Sequence, residues 1–263
     1  MGYAGMLVGV DHSAYAFDAV APASAVADAA AMPVRLFHAA DDGESYGDYE
    51  RQARRTGFPI EFTPAGPSPA ARARALHQRS VIGDFLPVVT THSRRVFTSS
   101  ILGSTANELI VQATRPVMLF GPNHSTEVHR PSRVVCAVDG TEFSEIMVRR
   151  AATWSAAMQV PMWLVRSVNS DLDPALADEP NYLHDLAASL ETSLGEVDWD
   201  VVHGRHPGRS IAEFANEQAG TLTVVTTHAR RGLDRLRHGS VSAETVRRST
   251  GPVLVYNPES PRG

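Results

Sequence analysis

One six-residue phrase occurs twice in this chain, at matched spacing. Thr90-Thr91-His92-Ser93-Arg94-Arg95 begins 13 residues ahead of Gly103-Ser104, and Thr226-Thr227-His228-Ala229-Arg230-Arg231 begins 13 residues ahead of Gly239-Ser240. An apolar run precedes each copy (Phe85 to Val89; Leu222 to Val225), and a Pro-Val apolar run follows each (Pro116 to Phe120; Pro252 to Tyr256). A repeat of this period means that one half-length unit has been duplicated, so both halves must fold on one plan. The functional question is then what one unit binds.

Composition narrows the answer. With 263 residues and 43% hydrophobic content, the chain supports two modest cores of about 130 residues each. No apolar stretch approaches the ~18 residues of a membrane span. The chain enters a strand at Met6 to Val10 without a charged, apolar leader, which reads as cytoplasmic. All 24 cationic side chains are arginine, which excludes a Walker-type phosphate loop and lysine Schiff-base chemistry. A net charge of −5 gives no broad footprint for nucleic acid. The single Cys136 sits inside an apolar run and reads as a small buried residue rather than a nucleophile.

Strand and helix signals alternate through both halves. In the first, strands are expected at Met6 to Val10, Val34 to His38, Phe58 to Phe62 and around Val88-Val89. Helical segments are expected after Asp11-His12-Ser13, over Glu50 to Arg55, and after Gly66-Pro67-Ser68-Pro69. The second half repeats the landmarks: Asp139 follows Asp11 and Pro161 follows Pro33 at one offset of 128. Gly204-Arg205-His206-Pro207 mirrors Gly66 to Pro69, and Leu183, Leu186, Ala187, Leu190 and Leu194 fall at helical spacing. Such alternation predicts an α/β fold, each half a five-stranded, mainly parallel sheet with flanking helices. The turn-forming Gly121-Pro122-Asn123-His124-Ser125-Thr126-Glu127 is the natural linker, giving domains at 1–127 and 128–263.

In open parallel sheets ligands bind beyond the carboxyl ends of the strands, where strand order reverses. The first and fourth strands should meet there, presenting Asp11 and Thr90 in one half and Asp139 and Thr226 in the other. Gly103-Ser104-Thr105 and Gly239-Ser240-Val241-Ser242 stand at helix starts, where unpaired N–H groups attract an anion such as phosphate. The plainer reading makes these Ser and Thr residues helix N-caps, and Asp11 and Asp139 caps of the helices after them. The arginine pairs can be solvated surface residues. His92 and His228 lack an acid partner in sequence and read as structural or site-lining. His203 and His206 lack a third ligand, so no metal site is expected.

Taken together, the residues resemble the universal stress protein family in its tandem two-domain form. The resemblance rests on Val10-Asp11 and Val138-Asp139, the third-strand Gly with its nearby Pro, and the Thr-His-x-Arg stretches. It also rests on Gly-Ser before each last helix and on Pro116-Val117 and Pro252-Val253. It implies two Rossmann-like domains of the adenine nucleotide alpha hydrolase type, paired about a pseudo-two-fold axis through their last strands. It also implies a stress-response binding module for ATP or another adenine nucleotide. The nucleotide motif of the family, Gly-x2-Gly-x9-Gly-Ser/Thr, aligns with Thr90, Ser93, Gly103 and Ser104, and with Thr226, Ala229, Gly239 and Ser240. The first two glycines are thus replaced in each half. Ala39 and Ser167 align with the adenine contacts, which would be made through backbone. The alternative is a nucleotide-free scaffold acting through a protein partner; pairing of two chains stays open. Catalysis is not expected, slow hydrolysis being the least supported reading.

Overall fold

The computed structural model describes residues 2–11, 15, 17–41, 43–91, 102–125, 127–169, 179–194, 197–227 and 241–257. Among them the first half supplies strands β1 (Gly5–Gly9), β2 (Val34–Ala40), β3 (Ile60–Pro64), β4 (Phe85–Thr90) and β5 (Val117–Phe120). The second supplies β6 (Arg133–Ala137), β7 (Met162–Val168), β8 (Val197–His203), β9 (Thr221–Thr226) and β10 (Val253–Tyr256). Helices α1 (Val20–Ala29), α2 (Gly47–Thr56), α3 (Pro69–Ile82) and α4 (Ser104–Gln112) accompany the first set. Helices α5 (Glu142–Met158), α6 (Glu179–Leu194), α7 (Pro207–Asn216) and α8 (Val241–Arg248) accompany the second.

All ten strands join one sheet, ordered β3-β2-β1-β4-β5-β10-β9-β6-β7-β8. Each half has the order 3-2-1-4-5 and is parallel throughout. The halves meet through β5 and β10, which pair antiparallel with Val117 opposite Val255, Met118 opposite Leu254 and Leu119 opposite Val253. Alternation along these two strands sends Val117, Leu119, Val253 and Val255 into one core, and Met118, Phe120, Leu254 and Tyr256 into the other. Helices cover both faces, which is why the strands read as unbroken apolar runs.

The repeated landmarks do repeated jobs. Pro33 and Pro161 each offer a carbonyl to the neighbouring strand, accepting from Met6 N–H (2.8 Å) and Val134 N–H (2.9 Å). Ser68 and His206 are the N-caps of α3 and α7, each followed by proline at the first helical position, where the missing N–H costs nothing. The second threonine of each repeated phrase ties down a last strand: Thr91 N–H donates to Phe120 O (2.9 Å) and Thr227 N–H to Tyr256 O (2.8 Å). Both threonines are buried. Their copy number reflects framework as much as ligand.

Some boundaries move. The third strand lies over Ile60–Pro64, two residues later than expected, because Pro59 has no N–H for the ladder and contributes its carbonyl to Leu36 N–H instead. In the linker, Ser125 N–H donates to Thr250 O (2.8 Å). A Cβ on Gly121 would collide with the Val246 carbonyl, so only glycine lets the chain leave β5 this close to α8.

Two outcomes are expected from this packing. Val253→Asp places a carboxylate at a fully buried seam position and should lower unfolding free energy by about 4 kcal/mol in urea titration. The second concerns Cys136, whose complete burial pushes its thiol from 9.0 to about 12. The native state then keeps a proton that the unfolded chain loses. Its contribution to stability is full below pH 9 and declines as pH rises toward 12. A thiol-exchange reagent at pH 8 should label the unfolded chain and leave the native protein unlabelled.

Candidate functional site

A cavity of about 320 Å³ opens at the carboxyl edge of the first half. Its floor is the exits of β1 (Gly9, Val10, Asp11), β2 (His38, Ala39) and β4 (Val89, Thr90). One wall is α3 (Pro69, Arg72, Leu76), and the far end is the start of α4 (Gly103 to Ala106). This is where strand order reverses between β1 and β4, the position ligands take in open α/β sheets. Gly9 keeps the floor low: an added Cβ would meet Leu76 Cδ2 and Val89 Cγ1, both at 3.2 Å.

Six of the residues singled out from sequence therefore surround one space: Asp11, Ala39, Thr90, Gly103, Ser104 and Thr105. Ser93, Ala229, Gly239 and Ser240 lie outside the described residues, as do His92, His228 and both arginine pairs. Thr90, aligned with the first motif glycine, brings a side chain to the cavity wall.

The capping readings need correction. Gly103, not a serine, is the N-cap of α4, and no side chain caps that turn. Ser104 and Thr105 are the first two helical residues, ahead of the first helical rung from Asn107 N–H to Gly103 O (3.0 Å). The N–H groups of the first turn lack intrahelical acceptors by construction, and Gly103 to Ala106 line the cavity. The N-cap of α1 is Ala19, with no side-chain cap, and the helix starts at Val20, well beyond Asp11. Asp139 is not itself the cap of α5 either. Its Oδ1 accepts from Thr141 N–H (3.0 Å) and Thr141 Oγ1 (2.6 Å), and Thr141 is the N-cap. In the second half, Ser167 lies on β7 with a buried Oγ that has no partner among the described residues. Thr226 ends β9, while Val241 and the buried Ser242 open α8.

One signal was missed: a polar residue in the middle of each second strand. His38 and Arg166 occupy the fifth position of β2 and β7. His38 is 1% exposed. Its Nδ1 lies 2.8 Å from Val10 O, and its Nε2 lies 3.1 Å from both Glu44 carboxylate oxygens. A carbonyl and a carboxylate only accept, so each contact is a hydrogen bond in the form of the ring that carries a proton on that nitrogen. Glu44 also accepts from Asp41 N–H (3.0 Å), and Tyr49 stacks on the imidazole with centroids 4.0 Å apart. Burial, then the adjacent Glu44 carboxylate, holds the Tyr49 phenol well above its usual range.

In the second half Arg166 takes this place. Its guanidinium lies 5.3 Å from the Tyr182 ring centroid and fills the space beside Gly140, where a Cβ would come within 2.9 Å of Nη1. Tyr182 donates to Glu145 (3.2 Å). Burial, followed by Glu145, pushes its phenol up to about 12. Both halves thus set a tyrosine over a basic residue, beside a glutamate and the strand-exit aspartate, with different bases.

With this geometry in place, the comparisons fall into line. Residues 131–257 match the model of the universal stress protein family. The matched stretch lies in the second half and makes up just under half of the chain. The whole chain shares its fold with a universal stress protein from Archaeoglobus fulgidus DSM 4304: TM-score 0.72, 15% identity, covering 98% of this chain and 100% of that one. A functionally unknown protein from Pseudomonas aeruginosa PAO1 is similar at TM-score 0.63 and 15% identity, covering 98% and 93%. At these identities the likeness is one of fold. The sensor protein KdpD of Mycobacterium tuberculosis (strain CDC 1551 / Oshkosh) is 32% identical over 120 residues, 45% of this chain and 13% of KdpD. The chain therefore spans a small part of that relative's length. No described helix is long and apolar enough to cross a membrane.

Glu44 is the hub of the first-half site. Glu44→Ala leaves the His38 Nε2 donor and the Asp41 N–H without their acceptor. Thermal unfolding should show a loss of about 2 kcal/mol.

Proposed function

We propose that the first half binds an adenine nucleotide, with phosphates at the start of α4 and the base toward the exits of β1 and β2. The observation that carries this reading is the single cavity joining those two ends. At about 320 Å³ it falls within the usual range of small-ligand sites. One end carries the uncapped first turn of α4, suited to phosphate oxygens. The other carries apolar Val10, Ala39 and Leu76 with a few polar groups, suited to a ring. The family motif points to the same residues, with Gly103 and Ser104 kept and Thr90 standing where a glycine would let the backbone approach closely.

On this reading the chain is a cytoplasmic stress-response module that holds or senses nucleotide rather than turning it over. The second half binds differently, because Arg166 and Gly140 reshape the corresponding wall. A nucleotide-free scaffold is the second reading. The observation in its favour is the Thr90 side chain at the cavity wall.

Mass spectrometry of the denatured protein and titration calorimetry with ATP, ADP and AMP test the proposal. Wild type should bind, and phosphate release should stay at the no-protein background. Thr90→Gly should bind as tightly or up to about tenfold more tightly, since it removes a side chain from the nucleotide path. Absence of heat from both proteins would favour the scaffold.

A further inference from the structure

His38 is a ring held between two acceptors. Its Nδ1 meets the Val10 carbonyl at 2.8 Å, and its Nε2 meets each Glu44 oxygen at 3.1 Å. The two side chains are 1% and 12% exposed, so little water reaches the pair. A neutral imidazole has one N–H and one lone pair. With its N–H on Val10 O, the lone pair would face a carboxylate, and two acceptors at that distance repel. One further proton has to lie between Nε2 and Glu44.

Three features place that proton on the ring. Nε2 is equidistant from both Glu44 oxygens, as an N–H shared between them would be. Glu44 also accepts from Asp41 N–H (3.0 Å) and from the Tyr49 hydroxyl, and such donors favour the charged carboxylate. The equivalent position of the second half is filled by an obligate cation: Arg166, on β7, lies against Tyr182, which donates to Glu145. The surroundings agree. Among the described residues, the ionisable groups about the ring are Glu44 before α2 and Tyr49 on α2. Further out stand Asp11 at the β1 exit and Arg72 of α3, held by Asp41. Phe62 of β3 meets the ring edge-on and brings no charge. Three carboxylates to one guanidinium favour a second cation.

We infer that His38 is a proton-gated clamp on the first-half site. As imidazolium it ties the β1 exit to the Asp41–Glu44 segment, and through Asp41 to Arg72 on the α3 wall. When the ring proton passes to solvent, Nε2 and Glu44 face each other as two acceptors and that side of the clamp opens. The cavity wall then loosens as pH rises. This happens in the first half alone, because Arg166 keeps its charge. The effect on a ligand rests on the nucleotide reading above; the clamp itself does not.

Nitrogen-15 NMR of the full chain tests the clamp, the His38 ring signals being those that vanish in His38→Gln. At pH 7 both ring nitrogens should carry a proton; one bare nitrogen at that pH overturns the inference. Urea unfolding gives a second readout. The clamped native state binds one proton more than the unfolded chain, so its contribution is full at low pH and declines as pH rises. From pH 6 to 8.5 the unfolding constant of wild type should rise about tenfold relative to that of Glu44→Gln, whose amide can donate to a neutral ring. Equal slopes in the two proteins overturn the gating. If Glu44→Gln fails to fold, the wild-type NMR still decides. Titration with ATP gives the third readout: wild-type affinity should fall about threefold from pH 7.5 to 8.5 while that of Glu44→Gln stays level. Level wild-type affinity overturns control of the site by the clamp. No affinity for ATP at any pH overturns the nucleotide reading, and the first two readouts still decide the clamp.

Discussion

The antiparallel pairing of β5 with β10 is the constraint on which the rest of the molecule depends. Each half would otherwise end in an apolar strand with one edge unpaired, a template for aggregation. Pairing Val117, Met118 and Leu119 with Val255, Leu254 and Val253 removes both edges at once. Since these strands are buried on both faces, the pairing also fuses the cores. On one face Val246 and Ala243 of α8 share a cluster with Ala106, Leu109 and Ile110 of α4. The outer edges fall to β3 and β8, which carry Glu61 and the acidic Asp198 and Asp200. Charge there discourages further strand addition.

Much of this was legible in the sequence because duplication gave two readings of each signal. Pro33 with Pro161 and Asp11 with Asp139 marked the same strand boundaries twice, and the apolar runs had the length of buried parallel strands. The cavity was located for the same reason: strand exits and Gly-Ser helix starts recur in register. What was not legible is what differs between the copies. His38 and Arg166 are unlike in sequence and gained meaning only through Val10, Glu44 and Tyr49 on one side, and Gly140 and Tyr182 on the other. In sequence Arg72 is one of several arginines on α3. Only its bond to Asp41, 31 residues away, sets it at the cavity. The sequence repeat alone also did not show that Thr91 and Thr227, the second threonine of each phrase, serve the last strands.

The two halves therefore keep a common frame and diverge at one wall. Conserving the frame is cheap in sequence terms, because apolar strands tolerate exchange if volume and alternation are kept. The wall is costly to alter piecemeal. In the first half, Val10, His38, Glu44, Asp41 and Arg72 form one run of hydrogen bonds, so a change at one strands donors or acceptors at the next.

A sheet that is parallel within each half and antiparallel at its centre has a further consequence. The carboxyl ends of β1 to β5 lie along one rim of the sheet, and those of β6 to β10 along the opposite rim. Each rim thus places one half's strand exits beside the other half's strand starts. The molecule is two-sided in the manner of a coin: a partner resting on one rim covers a single strand-exit site and leaves the other facing away. The two sets of strand exits thus share no rim and have only the common sheet between them.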